Sequence, residues 1–154
     1  MIHVRQAEAS DRDTIVEFQV RLAKESEGLD LDRAKVTQGV QAVFDRPNLG
    51  MYWVAQSGDL VVACLLTIPE WSDWRNGTVV WIHSLYVLPE FRHKGIFRAM
   101  IENLRSQVRA SKDLIGLRLY VDKRNTAAQQ VYKRLGMDSQ HYDLFEWLKN
   151  APCR

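Results

Sequence analysis

The sequence predicts an α/β domain in which helices flank a mixed β-sheet. Three observations carry that prediction. Strand-like and helix-like segments follow one another as β-α-α-β-β-β-α-β-α-β. Strands joined by tight turns pair antiparallel while strands joined through a helix pair parallel, so such an order makes a mixed sheet. The composition also fits one ordinary domain with its own core: 154 residues, 46% apolar and 26% charged.

Each element has a local reason. Ile2–Arg5 alternates as a short strand. Ser10 or Asp11 offers an N-cap for a helix in which Ile15, Phe18, Val20 and Leu22 recur, running to about Glu25 and stopped by Gly28. A second helix is expected over Asp32–Phe44, and Arg46–Gly50 is a turn cluster. Met51–Ser57 and Leu60–Ile68 read as a hairpin around Gly58-Asp59. Pro69–Gly77 reads as a loop, followed by a buried strand over Val79–Val87. A helix then runs from Gly95 to about Ala110, a strand from Ile115 to Val121, and a helix from Thr126 to Leu135, stopped by Gly136. His141–Leu148 closes the chain as a strand.

The stretch Val79–Leu104 holds the chemistry. A strand ends at Pro89, a basic turn Arg92-His93-Lys94-Gly95 follows, and Ile96, Phe97, Met100, Ile101 and Leu104 then recur at helical spacing. The first amides of a helix lack intrahelical partners and lie at the positive end of its dipole, so they can hold phosphate oxygens. Glycine lets backbone approach such a ligand and the flanking cations attract it. Neither G-x-x-x-x-G-K-S/T nor G-x-G-x-x-G is present.

What stands instead is Arg92-x-x-Gly95-x-Phe97 after the strand end Leu85-Tyr86-Val87. It resembles the acetyl-CoA-binding motif Q/R-x-x-G-x-G/A of the GNAT family of N-acetyltransferases, with Phe97 departing from the usual Gly or Ala. A second fragment, Leu119–Met137, resembles the family's N-x-x-A-x-x-x-Y-x-x-x-G signature at Asn125, Ala128, Tyr132 and Gly136. The element order is also the family's. The resemblance implies a single N-acetyltransferase domain over residues 1–154. Its expected fold is a mostly antiparallel central sheet with one splayed parallel pair, flanked by about four helices. It implies acetyl-CoA as cosubstrate, no metal, and a primary amine of a small molecule or protein as acceptor.

Acyl transfer from a thioester to an amine needs a held cofactor, a neutral amine, a polarised carbonyl and a protonated leaving thiolate. By resemblance, amides along Arg92, His93, Lys94, Gly95, Ile96, Phe97 and Arg98 cradle the pyrophosphate. Main-chain groups of Leu85, Tyr86 and Val87 pair with the pantetheine arm, and an amide near Val87 polarises the carbonyl. Tyr132 would protonate the thiolate, and Asn125 would contact the cofactor arm or fix its turn. An alkylamine of pKa ~10.4 is neutral only about once in 2,500 molecules at pH 7, so a base helps. His83 is the first candidate, because strand alternation would place it on one face with Trp81, Leu85 and Val87 and an imidazole of pKa ~6.5 suits the task. Glu70, Asp73 and Glu25 are the alternatives.

On the acceptor side, Glu25, Glu70, Trp71, Asp73 and Trp74 combine acidic and aromatic groups that can attract a cationic amine. The tail strand, with Phe145 and Trp147, serves core packing or a homodimer contact. A net charge of +2 argues against a nucleic-acid or membrane partner. The two cysteines, Cys64 and Cys153, do not suggest a disulfide framework. No apolar stretch approaches ~20 residues, and the N-terminus lacks a signal-peptide core, so a soluble cytoplasmic domain is expected. The competing reading is a non-catalytic acyl-CoA-binding module with the same fold.

Overall fold

A computed structural model of the chain describes residues 1–150, so Cys153 lies outside the described residues. Two compact units are present, one over Met1–Leu119 and one beginning at Tyr120. The first carries strands β1 (Ile2–Gln6), β2 (Met51–Ser57), β3 (Leu60–Ser72), β4 (Gly77–Val87) and β5 (Leu114–Arg118), with helices α1 (Arg12–Glu27), α2 (Arg33–Asp45) and α3 (Ile96–Ala110). The second carries α4 (Thr126–Arg134). The sheet is five-stranded in the order β1-β2-β3-β4-β5. Its first four strands are antiparallel and β5 runs parallel to β4.

Register assigns the faces. Paired residues share a face, so Tyr52, Cys64, Leu66, Trp81, His83 and Tyr86 point to one side. That side receives α1 and α2. Phe18 of α1 lies 5.2 Å from Tyr86 ring to ring, the Gln19 amide donates to Cys64 Sγ at 3.6 Å, and Phe44 of α2 stacks 5.9 Å from Tyr52. The other side presents Met51, Trp53, Thr67 and Val80 to Leu104, Gln107 and Val108 of α3. The core is apolar on both faces, with Ile15, Val54, Leu65, Met100 and Ile101 fully buried.

Several boundaries differ from the sequence reading, each for a physical reason. Pro69–Ser72 is strand, not loop, pairing with Gly77–Val80. Pro lacks an N–H, but β2 pairing ends at Thr67, so no β2 hydrogen bond is lost at Pro69. Asp11 is the N-cap position of α1, as expected, but its side chain does not cap that helix: a short 3-10 turn over Ala9–Asp11 precedes α1 behind Glu8 in a capping box, and the Asp11 carboxylate reaches back to accept from the Glu8 amide at 2.7 Å. Asp11 is buried and also takes Arg5 in a two-pronged pair at 2.7 and 3.0 Å. Burial pushes its carboxyl up, and the Arg5 and Glu8 hydrogen bonds outweigh that, leaving it below the usual range. Strand β5 stops at Arg118, and His141–Leu148 forms no strand.

Candidate active site

The geometry of the site follows from a mismatch in strand length. Parallel pairing of β4 with β5 runs from Thr78↔Leu114 to Trp81↔Arg118 and ends there. Strand β4 continues from Ile82 to Val87 with β3 on one edge and no β5 residue on the other. Backbone donors and acceptors along such an edge can pair with an extended ligand. The same stretch is irregular on its β3 side. Leu66 faces His83 and Cys64 faces Tyr86, so Ser84 and Leu85 together oppose the single residue Leu65. This is a β-bulge, and Ser84 absorbs it at φ 53°.

The bulge overturns one expectation. Simple alternation put His83 on a face with Leu85 and Val87, but the extra residue inverts the pattern. His83 shares its face with Trp81 and Tyr86, on the side of α1 and α2, whereas Val87 pairs with Ala63 and faces the side of α3. The His83 ring centre lies 6.2 Å from that of Trp81. Burial depresses its pKa below the ordinary imidazole value, so the ring is neutral, and thus able to accept a proton, at neutral pH.

Beyond Val87, Pro89–Phe91 makes a 3-10 turn and the basic residues follow. Helix α3 begins at Ile96 behind Gly95, whose φ of 77° is left-handed and which provides no side-chain cap. No helix-entry side chain competes there for an anion. The charges of the turn point different ways. Arg92 donates through Nε to the Val87 carbonyl at 3.0 Å and through Nη2 to Glu25, and its guanidinium lies 5.6 Å from the Tyr86 ring centre. Lys94 lies over the Phe91 ring. His93 and Arg98 are exposed, Ile96 is buried and Phe97 is half-buried.

Glu25, at the end of α1, is therefore a clamp. One oxygen takes Arg92, the other takes the Tyr86 hydroxyl at 2.7 Å, and both interactions hold its carboxyl below the usual range. Glu70 is a second clamp, taking Trp81 Nε1 at 2.8 Å and Arg118 Nη1 at 2.7 Å. Glu70 faces Val79 while Glu25 meets Tyr86, about 20 Å apart along the strand. The structure thus does not gather the acidic and aromatic candidates into one cluster. Trp71 and Trp74 are exposed near the β3–β4 turn with Asp73, whose carboxylate accepts from the Trp74 amide. Arg118 was not singled out by sequence reasoning. An arginine at the end of a short strand carries no motif, and only the register reveals its partner.

In the second unit, the Asn125 side chain accepts from the Ala128 amide at 3.1 Å and so caps α4, as turn chemistry demands. Tyr132 is half-buried on that helix, and burial raises its phenol pKa, which keeps the hydroxyl protonated at neutral pH. Among the described residues no group of His, Cys, Asp or Glu is arranged to hold a metal ion, no helix is long and apolar enough to cross a membrane, and Cys64 is a free, buried thiol.

A strand freed beyond its parallel partner, leading through a basic glycine turn into a helix, accompanies a match to the family model of the acetyltransferase (GNAT) family over residues 16–137. The chain belongs to the GNAT acetyltransferase family. Its mixed sheet, parallel β4–β5 pair and four helices are the expected fold. A crystal structure of a possible acetyltransferase from Clostridium difficile 630 is 39% identical, with 98% of this chain and 99% of that chain covered at a TM-score of 0.91. A predicted acetyltransferase from Clostridium acetobutylicum, solved with acetyl-CoA, is 21% identical over 95% and 96% of the two chains, at 0.72. AAC(6')-Iy, in complex with a bisubstrate analog, is 14% identical over 97% and 99%, at 0.74. No protein of curated function matches the chain.

Proposed function

We propose that the chain, as one domain over residues 1–154, moves an acetyl group from acetyl-CoA to a primary amine of a small-molecule or protein acceptor by direct attack in a ternary complex. The observation that carries this reading is that β4 runs on past its parallel partner, from Ile82 to Val87, into the uncapped, left-handed Gly95 turn. An edge with backbone donors and acceptors, ending at a cationic helix start, fits an extended ligand that carries phosphates at one end. The solved relative with acetyl-CoA supports the same cosubstrate.

The cosubstrate supplies an activated acyl group and a thiol leaving group. This chain's residues do the rest. Amides from Arg92 to Arg98 hold the pyrophosphate, and Leu85, Tyr86 and Val87 align the arm by main-chain pairing. Asn125 shapes the turn that presents α4. His83, neutral at working pH, takes the proton from the attacking amine, which on this reading approaches from the face of α1 and α2. Tyr132 donates a hydrogen bond or proton to the departing sulfur. We place the reaction in the cytoplasm. Glu70, Trp71, Asp73 and Trp74 remain the acceptor-side candidates, while Glu25 is better suited to holding Arg92 and Tyr86 than to meeting the amine.

The test is a thermal shift with acetyl-CoA, CoA and a non-phosphorylated pantetheine thioester, followed by thiol release over a panel of amines. A shift specific to the CoA species is expected, with amine-dependent release that Tyr132→Phe lowers by at least about tenfold. A shift with no release from any amine would favour the acyl-CoA-binding module, and no shift at saturating ligand would sink the reading.

A further inference from the structure

Glu25 stands where a helix does not favour a carboxylate. It lies in the last turn of α1, which Gly28 closes at φ 67°, at the negative end of the helix dipole. What it gains there is tertiary. One oxygen accepts from the Tyr86 hydroxyl at 2.7 Å and the other from Arg92 Nη2, 67 positions further along the chain. The Arg92 side chain is turned back into the protein by the same arrangement. Its Nε donates to the Val87 carbonyl at 3.0 Å, so one planar guanidinium bridges the end of β4 and the end of α1 while lying 5.6 Å from the Tyr86 ring centre. The backbone after Arg92 needs such a hold. His93 is left-handed at φ 62° and Gly95 at φ 77°. The first is an uncommon conformation for a residue with a Cβ, and it persists only where the surroundings fix it. The amides of such a turn converge on an anion only in that conformation.

We propose that Glu25 is a positioning residue for the cosubstrate: by anchoring Arg92 to the end of α1, it sets the turn from Arg92 to Gly95 in the conformation that binds CoA. The inference rests on the acetyl-CoA reading and adds to it that the turn is held from the side of α1. Charge alone argues the opposite. A carboxylate near the turn that receives a polyanion repels it, so neutralising a Glu25 that contributed only charge should tighten binding. The sign of the change separates the two. A half-exposed ion pair adds little to global stability, so unfolding should hardly register its loss.

Titration calorimetry with CoA decides between them, on the wild type, Glu25→Gln, Arg92→Lys and the double variant. The glutamine keeps an acceptor for Tyr86 and removes the ion pair. The lysine keeps the charge but lacks the planar fork that joins Glu25 to the Val87 carbonyl. Each single variant should weaken binding about threefold or more, and the double variant should be no weaker than the worse single one, because both break one link. The urea midpoint of Glu25→Gln should match the wild type, and in turnover its loss should fall on KM for acetyl-CoA more than on kcat. Binding by Glu25→Gln as tight as the wild type, or tighter, overturns the proposal, and so does a double variant whose loss is the product of the two single ones. A wild type that binds no CoA overturns the acetyl-CoA reading as well, which keeps the two failures distinct. Should Glu25→Gln fail to fold, Glu25→Asp, which keeps the charge and shortens the reach, is held to the same outcomes.

Discussion

The two ends of β4 differ in what encloses them. At its start, Gly77–Trp81 runs between β3 and β5, and the fit is tight: a Cβ on Gly77 would lie 2.6 Å from Ile115 Cγ2 and 3.2 Å from the Asp113 carbonyl. Trp81 and Arg118 close this end by converging on Glu70. At its finish, Ile82–Val87 pairs with β3 but not with β5, and it carries a bulge, a left-handed Ser84 and a cationic turn. One strand thus lies between two partners at one end and runs past its parallel partner at the other, where we propose that the cosubstrate binds. The difference is set by length alone, since β5 has 5 residues and β4 has 11. Where β5 stops, the candidate site begins.

The largest expected break falls at the open end. His83→Gln should lower turnover roughly 10²-fold while leaving the thermal shift with acetyl-CoA in place. With His83 as the proposed base, its neutral form is the active one and burial depresses its pKa, so the acid limb of the rate should lie below pH ~6.5. That limb should vanish in the variant; a limb left unmoved by His83→Gln would assign the base elsewhere. The same sign governs stability. The unfolded chain binds this proton more readily than the folded one, so His83 costs stability as pH falls through its ordinary pKa, and the variant should flatten that slope.

The closed end should respond in stability rather than chemistry. Gly77→Ala forces β5 or Ile115 to shift, and urea unfolding should show a loss of about 1–3 kcal/mol. Little or no loss would mean that the two strands are less tightly seated than their register implies. The smallest effect is expected at the clamp near this end. Glu70→Gln keeps an acceptor for Trp81 but breaks the ion pair with half-exposed Arg118, a loss of at most about 0.5 kcal/mol. Combined with Asp73→Asn it also tests the acceptor side. If the apparent affinity for the amine is unchanged, these carboxylates play no part in recognising it.

Much of this was legible in the chain. The helix ends rest on local chemistry: Gly28 at φ 67° closes α1 and Asp32 caps α2 through the Ala34 and Lys35 amides. The hairpin at Gly58 and the basic turn before α3 are equally local, and the motif at Arg92-x-x-Gly95 pointed to the right family. The strand limits were less legible. Pro69 reads as a breaker unless it is known that β2 has already ended. His141–Leu148 reads as a strand although its partner cannot be named from the pattern.

The sequence by itself determined the fold class, the family, and the residues that carry charge and glycine to the start of α3. These follow from periodicity, turn chemistry and two spaced motifs, all of which act over a few neighbouring residues. Tertiary structure alone decided the facing of His83, the two carboxylate clamps and the point where β4 outruns β5. A bulge depends on how β3 counts against β4, and Glu25 and Arg92 lie far apart in sequence. Strand β4 outruns β5 only because β5, set by its own packing, ends early. Alternation predicts a face only while the register holds, and at Ser84 it does not.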